Sequence, residues 1–408
     1  MTPSARSEVQ KRTDITVIGG GVIGCAVAYE LVRRGAEVRV LECREGGRGA
    51  TQASAGILAP FIEAHGPGPL RALGQKSLDL YDCFVADVVD DGDGGEPVPY
   101  ERTGTLEVAT DPIGLTRLER TGRELTDAGI ECSLLGRGDA IAAEPHLSPE
   151  VVGALLVPGH GFVGAAALTA ALRRAASARG ASFVTLRAAT RISEVDQGVG
   201  ITTAQGRSIS DAVILAAGSW AGQVVVDGES PLPIRPVRGQ LLQLRWPGGI
   251  PLARVVWSSH CYVVPWRDGT VLVGGTVEDV GFDERATVEG VTGLLHAVQE
   301  VLPSTRGAGF EDVRVGLRPG TPDELPVVGW SRSVSGLAYA AGHYRNGVLL
   351  APVTARLVAD LVLEGRSDPL LDAVTPLRFD EVAVGTPTSG NGADRFSPDP
   401  LRDVQGTR

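Results

Sequence analysis

Three glycines, Gly19, Gly21 and Gly24, close the run ITVIGGGVIG from Ile15 to Gly24, and their spacing suits them to hold a pyrophosphate. Gly19 permits a tight turn. Gly21 lets backbone approach phosphate oxygens with no Cβ in the way, and Gly24 lets the following helix sit close to its strand. The start of that helix, Val22 and Ile23, offers free N–H groups and a partial positive charge. A second strand, Glu37 to Leu41, delivers Glu42 to the place of the ribose hydroxyls, where a carboxylate repels a 2′-phosphate. The chemistry is that of NAD or of the ADP half of FAD, and NADP is disfavoured. Arg318, between Leu317 and Pro319 in apolar, glycine-bounded sequence, is the second candidate. Its guanidinium either pairs with Asp323 or Glu324 or offers its planar fork to a ligand carboxylate. No catalytic triad or paired carboxylates stand out. His260 and His343 are assigned no proton-transfer role, and His65 and His160, both in glycine loops, are expected at the surface.

Several elements must position these residues. A helix-period stretch from Val22 to Arg34 is closed by Gly35, completing a βαβ unit. Two later segments repeat its logic: Ser210 to Gly222, with a small-residue turn at Gly218, and Gly336 to Pro352, where a strand runs into Gly342 and a helix opens near Asn346. A simple NAD dehydrogenase keeps its nucleotide unit contiguous, whereas extended FAD needs several segments. Further helix-period stretches cover Leu70 to Val89, Ala165 to Arg179, Thr287 to Val301 and Asn346 to Leu363. Between them lie β-branched runs at Leu106 to Ala109, Phe183 to Leu186, Val213 to Ala217, Gln240 to Leu244, Tyr262 to Pro265 and Val271 to Gly274.

A chain of 408 residues favours two domains. Its net charge of −11 argues against nucleic-acid and anionic-membrane partners. Apolar runs stop well short of the roughly 18 residues of a membrane span, and the polar N-terminus lacks a secretory h-region. The five cysteines lack C-x-x-C spacing, so reduced thiols in a cytoplasmic setting are expected, with no metal site. Residues 1–11 and 382–408 read as disordered tails, and Asp90 to Pro99 as a mobile surface loop.

VIGGGVIG, ATQASAGILAP (Ala50 to Pro60), LAAGSWAG, GLRPGTPDELPVVG (Gly316 to Gly329) and GHYRNGVLLAP together resemble the D-amino-acid oxidase family of flavoproteins, most closely the glycine oxidases of the thiamine pathway. The resemblance spans about residues 14 to 375. It implies an α/β fold: a discontinuous Rossmann-like FAD-binding domain (12–90, 150–225 and 325–375) and an α+β substrate domain with a mixed, largely antiparallel sheet (91–149 and 226–324). FAD is the implied cofactor. Val22 and Ile23 would follow the phosphate glycines, Glu42 and Cys43 would flank the adenosine ribose, and Ala50, Thr51, Ala55, Gly56 and Ile57 would line the pyrophosphate and flavin edge. Ala189 and Gly218 would approach the cofactor through backbone. His343, Tyr344, Arg345, Asn346, Gly347, Val348 and Leu349 would bring N–H groups toward the flavin pyrimidine ring. For the substrate, Arg318 matches a carboxylate clamp, Tyr262 the tyrosine beside it, and Arg345 a second arginine near the pocket. Val277 replaces a methionine seen in some glycine oxidases, and Trp266 stands where a charged residue is common. The implied reaction removes a hydride from the α-carbon of glycine, sarcosine or a small D-amino acid. Molecular oxygen becomes peroxide, and the imine hydrolyses to glyoxylate and ammonia. A dehydrogenase passing electrons to a quinone and a sarcosine-oxidase-like enzyme are the alternatives, and a homo-oligomer is left open.

Overall fold

The computed structural model describes residues 13–44, 49–64, 66–92, 95–185, 187–248 and 252–379. The expected tails and His65 lie outside them. Two sheets carry the fold. In the first, Thr13–Ile18 is central, paired in parallel with Val38–Leu41 on one side and Gly206–Leu215 on the other. Ser182–Val184 extends the sheet beyond Val38–Leu41, and Leu337–Ala341 joins Gly206–Leu215 in parallel. Strands covered on both faces read as near-continuous apolar runs, which is why Leu337–Ala341 is so hydrophobic and Ile15 to Ile18 are all buried.

Helix Val22–Arg33 follows the central strand and is buried from Val22 through Val32. It packs against helices Ala165–Ala178 and Gly347–Glu364, and the long helix Pro69–Asp91 packs against both of these. This helical layer and the sheet enclose the largest core, around Tyr29, Leu31, Leu168, Tyr81 and Val358. A Cβ on Gly24 would collide with the Gly19 carbonyl, so the helix can sit this close to the turn only with glycine there.

The second sheet has eight strands in the order Gly309–Gly320, Arg235–Arg245, Thr270–Gly274, Tyr262–Pro265, Val255–Trp257, Thr105–Ala109, Gly153–Val157 and Ser133–Gly136. Every pairing is antiparallel except Val255–Trp257 with Thr105–Ala109. Helix Val288–Val301, capped by the Thr287 hydroxyl, buries Leu294 and Val298 against Leu242, Val263 and Val273. The stretch 150–225, expected in the cofactor unit, begins in this second sheet with Gly153–Val157 before crossing to the first.

Two expectations are corrected. Asp90 and Asp91 end helix Pro69–Asp91 rather than opening a mobile loop. Asp91 accepts from the Tyr29 hydroxyl at 2.6 Å and from Arg179 through two nitrogens, and residues 93–94 lie outside the described residues. His160 is not at the surface. It is fully buried, stacked on Phe61 with ring centroids 5.2 Å apart, and neither ring nitrogen has a hydrogen-bond partner among the described residues. A loop rich in glycine reads as exposed, yet here its glycines let the chain pack tightly, and Gly161 lies against the Glu101 carbonyl.

Burial, with the Arg102 charge adding to it, pushes His160 down to about 3, and burial alone brings His343 to about 3. Both fold as neutral imidazoles, while in the unfolded chain each takes up a proton near pH 6.5. Below that pH the unfolded state binds more protons, so stability falls with acid at up to about 1.4 kcal/mol per pH unit for each histidine. Denaturant unfolding between pH 7.5 and 5 should show this loss. His160→Gln and His343→Gln should each flatten the slope.

Candidate active site

A single elongated cavity runs along the C-terminal ends of the parallel strands, touching Ile18, Leu41, Ala216 and Ala341. In open α/β sheets this is where ligands bind. At one end the Gly19 turn enters helix Val22–Arg33, whose first turn has no side-chain cap apart from the Thr51 hydroxyl 3.2 Å from Val22 N. Glu42 grips this turn from the neighbouring strand, accepting from Gly20 N at 2.6 Å with one oxygen and from Arg44 N at 2.9 Å with the other. Arg44 stacks over Trp220 at 4.1 Å and pairs with Glu284 at 2.8 Å, tying the Glu42 end of the cavity to a loop of the second sheet.

At the other end, the second sheet lays two side chains over glycines. Tyr262 is the cross-strand partner of Gly274, and Arg318 lies diagonally from Gly239 on the adjacent strand. A Cβ on Gly274 would strike the Tyr262 ring, and one on Gly239 the Arg318 guanidinium. The two side chains converge at Gly275, where an added Cβ would be 3.1 Å from both the Tyr262 hydroxyl and Arg318 Nη2. Arg318 donates to the Thr276 carbonyl at 2.8 Å, and no carboxylate lies in ion-pair range of it among the described residues. The alternative partner Asp323 is engaged elsewhere, by Arg378 at 2.7 Å. Burial raises the Tyr262 phenol above its ordinary range, while the charges of Arg318 and Arg345 pull it back.

Nearly all the sequence-derived residues meet here. Gly19, Gly21, Val22, Ile23, Glu42, Cys43, Ala50, Thr51, Ala55, Gly56, Ile57, Ala189, Gly218, His343, Tyr344, Gly347 and Val348 line the cavity, with Tyr262, Arg318 and Arg345. Three do not: Gly24 packs on the Gly19 carbonyl, Leu349 packs over Gly74, and Asn346 is buried behind the wall. His260 is exposed at a separate recess with Glu300 and Arg306. Val277 does face the cavity, whereas Trp266 packs edge-on against Phe162 at 4.9 Å.

Sequence reasoning missed Glu63, which pairs with Arg345 at 3.1 Å, together with Trp220, Arg44 and the glycines under Arg318 and Tyr262. The available signal was glycine inside strands, at Gly239 and Gly274, a mark of close approach by a neighbouring group.

A family model described as FAD dependent oxidoreductase matches residues 14–361. The chain belongs to this family. The bifunctional protein ThiO/ThiG of Nostoc sp. is 36% identical over 374 residues, 88% of this chain and 54% of that protein. The chain thus spans about half the length of such bifunctional relatives. The glycine oxidase of Geobacillus kaustophilus is 34% identical over 86% of this chain and 93% of its own. A crystal structure of glycine oxidase from the same organism superposes with a TM-score of 0.83, covering 88% of this chain and 96% of that one. The cofactor of the family is FAD, and the cavity suits it: a glycine turn without Cβ atoms and two helix N-termini without their own side-chain caps.

Glu42→Ala should release the Gly20 and Arg44 amides and cost about 1–3 kcal/mol in FAD affinity. More apoprotein and a melting point that added FAD restores would show it. Gly239→Ala and Gly274→Ala should displace Arg318 and Tyr262 respectively, at an overpacking cost of about 1–3 kcal/mol. Titrating acetate against the flavin absorbance should then show binding weakened roughly tenfold by Gly239→Ala, with FAD content unchanged.

Proposed function

We propose that this enzyme oxidatively deaminates glycine, with sarcosine and small D-amino acids as further substrates, to the imino acid and glyoxylate with release of ammonia and hydrogen peroxide. In this reading the reaction serves thiazole formation for thiamine in a reducing cytoplasm. The observation that carries it is the Arg318 guanidinium, held by the Thr276 carbonyl beside Tyr262, with no carboxylate in ion-pair range among the described residues, in a cavity that begins at the glycine turn. Similarity to proteins named glycine oxidase supports it.

FAD, when bound, supplies the acceptor for the α-carbon hydride and the route of its electrons to molecular oxygen. Arg318 takes the substrate carboxylate in two charge-assisted bonds, fixing the α-carbon in one orientation. Tyr262, with its phenol kept protonated by burial, borders the carboxylate and can donate to it. The substrate amine must be neutral for the hydride to leave. No cavity histidine takes up its proton near neutrality, because His343 is held at about 3 and bonded to Thr354 at 3.0 Å. The protein's part is orientation and electrostatics.

The flavin-tethered alternative finds no thiol to use at the ring end. Cys261 packs in the second core, bonded to Ser258 and pushed up to about 12, and Cys43 lies beside Glu42 at the ribose end. No helix of the described residues is long and apolar enough to cross a membrane.

Purified yellow protein should release hydrogen peroxide when given glycine in air. Arg318→Ala should weaken glycine binding by about 2–5 kcal/mol, roughly thirtyfold to several thousandfold. Arg318→Lys should recover only part, since an ammonium keeps the charge and loses the fork. Equal losses for glycine and for a plain primary amine, with an intact flavin spectrum, would make Arg318 structural.

A further inference from the structure

Glu63 is the one acid at the substrate end of the cavity wall among the described residues. It closes the short helix Pro60–Glu63, and its carboxylate lies 3.1 Å from Arg345 Nε, with the two side chains 12% and 17% exposed. Its charge also acts on the Tyr262 phenol, as do those of Arg318 and Arg345. Four groups therefore share one end of the cavity. The position of Glu63 is built into the fold. Pro60 opens the turn and packs on helix Pro69–Asp91 at Gly74, where an added Cβ would come within 2.8 Å. Phe61, buried, stacks on the buried His160.

Charge counting gives this arrangement a meaning. Arg318 and Arg345 bring positive charge to the substrate end, and Glu63 sets a negative charge against it. A substrate carboxylate is drawn to the two arginines and kept from Glu63. A substrate with a second anionic group on its amine would bring that group into the field of Glu63, where low dielectric strengthens repulsion between like charges.

Resting on the glycine-oxidising reading above, we infer that Glu63 determines specificity by setting the charge class of the substrate: it admits mono-anionic amino acids and excludes N-substituted glycines that carry a second acid. Replacing its carboxylate by an isosteric amide removes one negative charge from the pocket, whatever else Arg345 touches. The same amide keeps a hydrogen-bond acceptor for Arg345, so geometry is largely preserved.

The test compares native holoenzyme with Glu63→Gln, using glycine and iminodiacetate, which is glycine with a second carboxymethyl group on nitrogen. The ratio of kcat/KM for glycine over iminodiacetate should fall at least tenfold in Glu63→Gln, with iminodiacetate gaining. Arg345→Gln, the opposite change in charge, should raise the ratio, and the double variant should return it toward the native value. A second readout needs no turnover: in a flavin absorbance titration, malonate should bind Glu63→Gln at least tenfold more tightly than native enzyme, with acetate changing less than threefold. If glycine and iminodiacetate lose rate in proportion and malonate binding does not tighten, Glu63 only supports the fold and the inference falls. If native enzyme oxidises neither substrate, the glycine-oxidising reading fails, and the malonate and acetate titrations still decide whether Glu63 filters charge. Should Glu63→Gln lose its flavin, the opposite shift in Arg345→Gln decides, and an unchanged ratio there overturns the inference.

Discussion

The Arg318 guanidinium, set in a cavity wall with no carboxylate in ion-pair range among the described residues, is the constraint on which that end of the cavity depends. Taking such a charge out of water costs several kcal/mol unless other polar groups receive it. Arg318 is received by the Thr276 carbonyl, with Arg238 O at the edge of range. The strand that carries Arg238 is itself held. Arg238 pairs with Glu278 and, at 3.1 Å, with Asp283, while Gln240 donates to Glu278 and to Thr287 at 2.8 Å each. The network satisfies the strands next to Arg318 with their own charges and leaves the arginine's remaining donors for a ligand. Ser219 adds a further anchor by donating to the Leu317 carbonyl at 2.8 Å, linking the small-residue turn of the first sheet to the strand that bears the arginine.

The glycine-turn end works by the opposite means, removal of bulk rather than placement of charge. Gly19 adopts a φ of +112° and lies against the Ala216 carbonyl, so the turn is pressed between two strands with nothing to spare. Glu42 then holds the turn's amide and that of Arg44. A single carboxylate on the cavity wall sets the shape of the loop. In the proposed enzyme these two ends face the same flavin.

Sequence patterning made the central strands and packing helices of the first sheet legible, and parts of the second, because such elements report themselves locally. Tyr262–Pro265 has the bounds its β-branched run suggested, and Val288–Val301 begins one residue inside its expected start because Thr287 serves as the cap. Gly309–Gly320, the strand that carries Arg318, was not legible. Its charged, glycine-containing first half lies at a sheet edge and lacks a clean alternation. Helix Pro112–Asp127 escaped for a similar reason: it buries only Leu118, Gly122 and Leu125, so its apolar stripe is narrow. Glu63 was invisible because its role arises from tertiary placement. The helix holding it is four residues long and is fixed by Phe61 against a histidine that a glycine-rich loop brings from a hundred residues away. Arg318 and Arg345 were found through motif resemblance, but only geometry shows that one is paired with a carboxylate and the other is not.

The path of the chain between the sheets has a mechanical meaning. It runs from the first sheet to the second after Val38–Leu41, back before Ser182–Val184, across again before Arg235–Arg245, and home after Gly309–Gly320. A hinge closes a cleft when one or two strands flex at its base. Here four connections would have to bend together, against the Ser219 bond and the Arg44–Glu284 strap. The two layers are laced rather than hinged. Small molecules therefore reach the interior past side chains and loops, and natural variation in what enters is written in individual wall residues, not in how far the halves part.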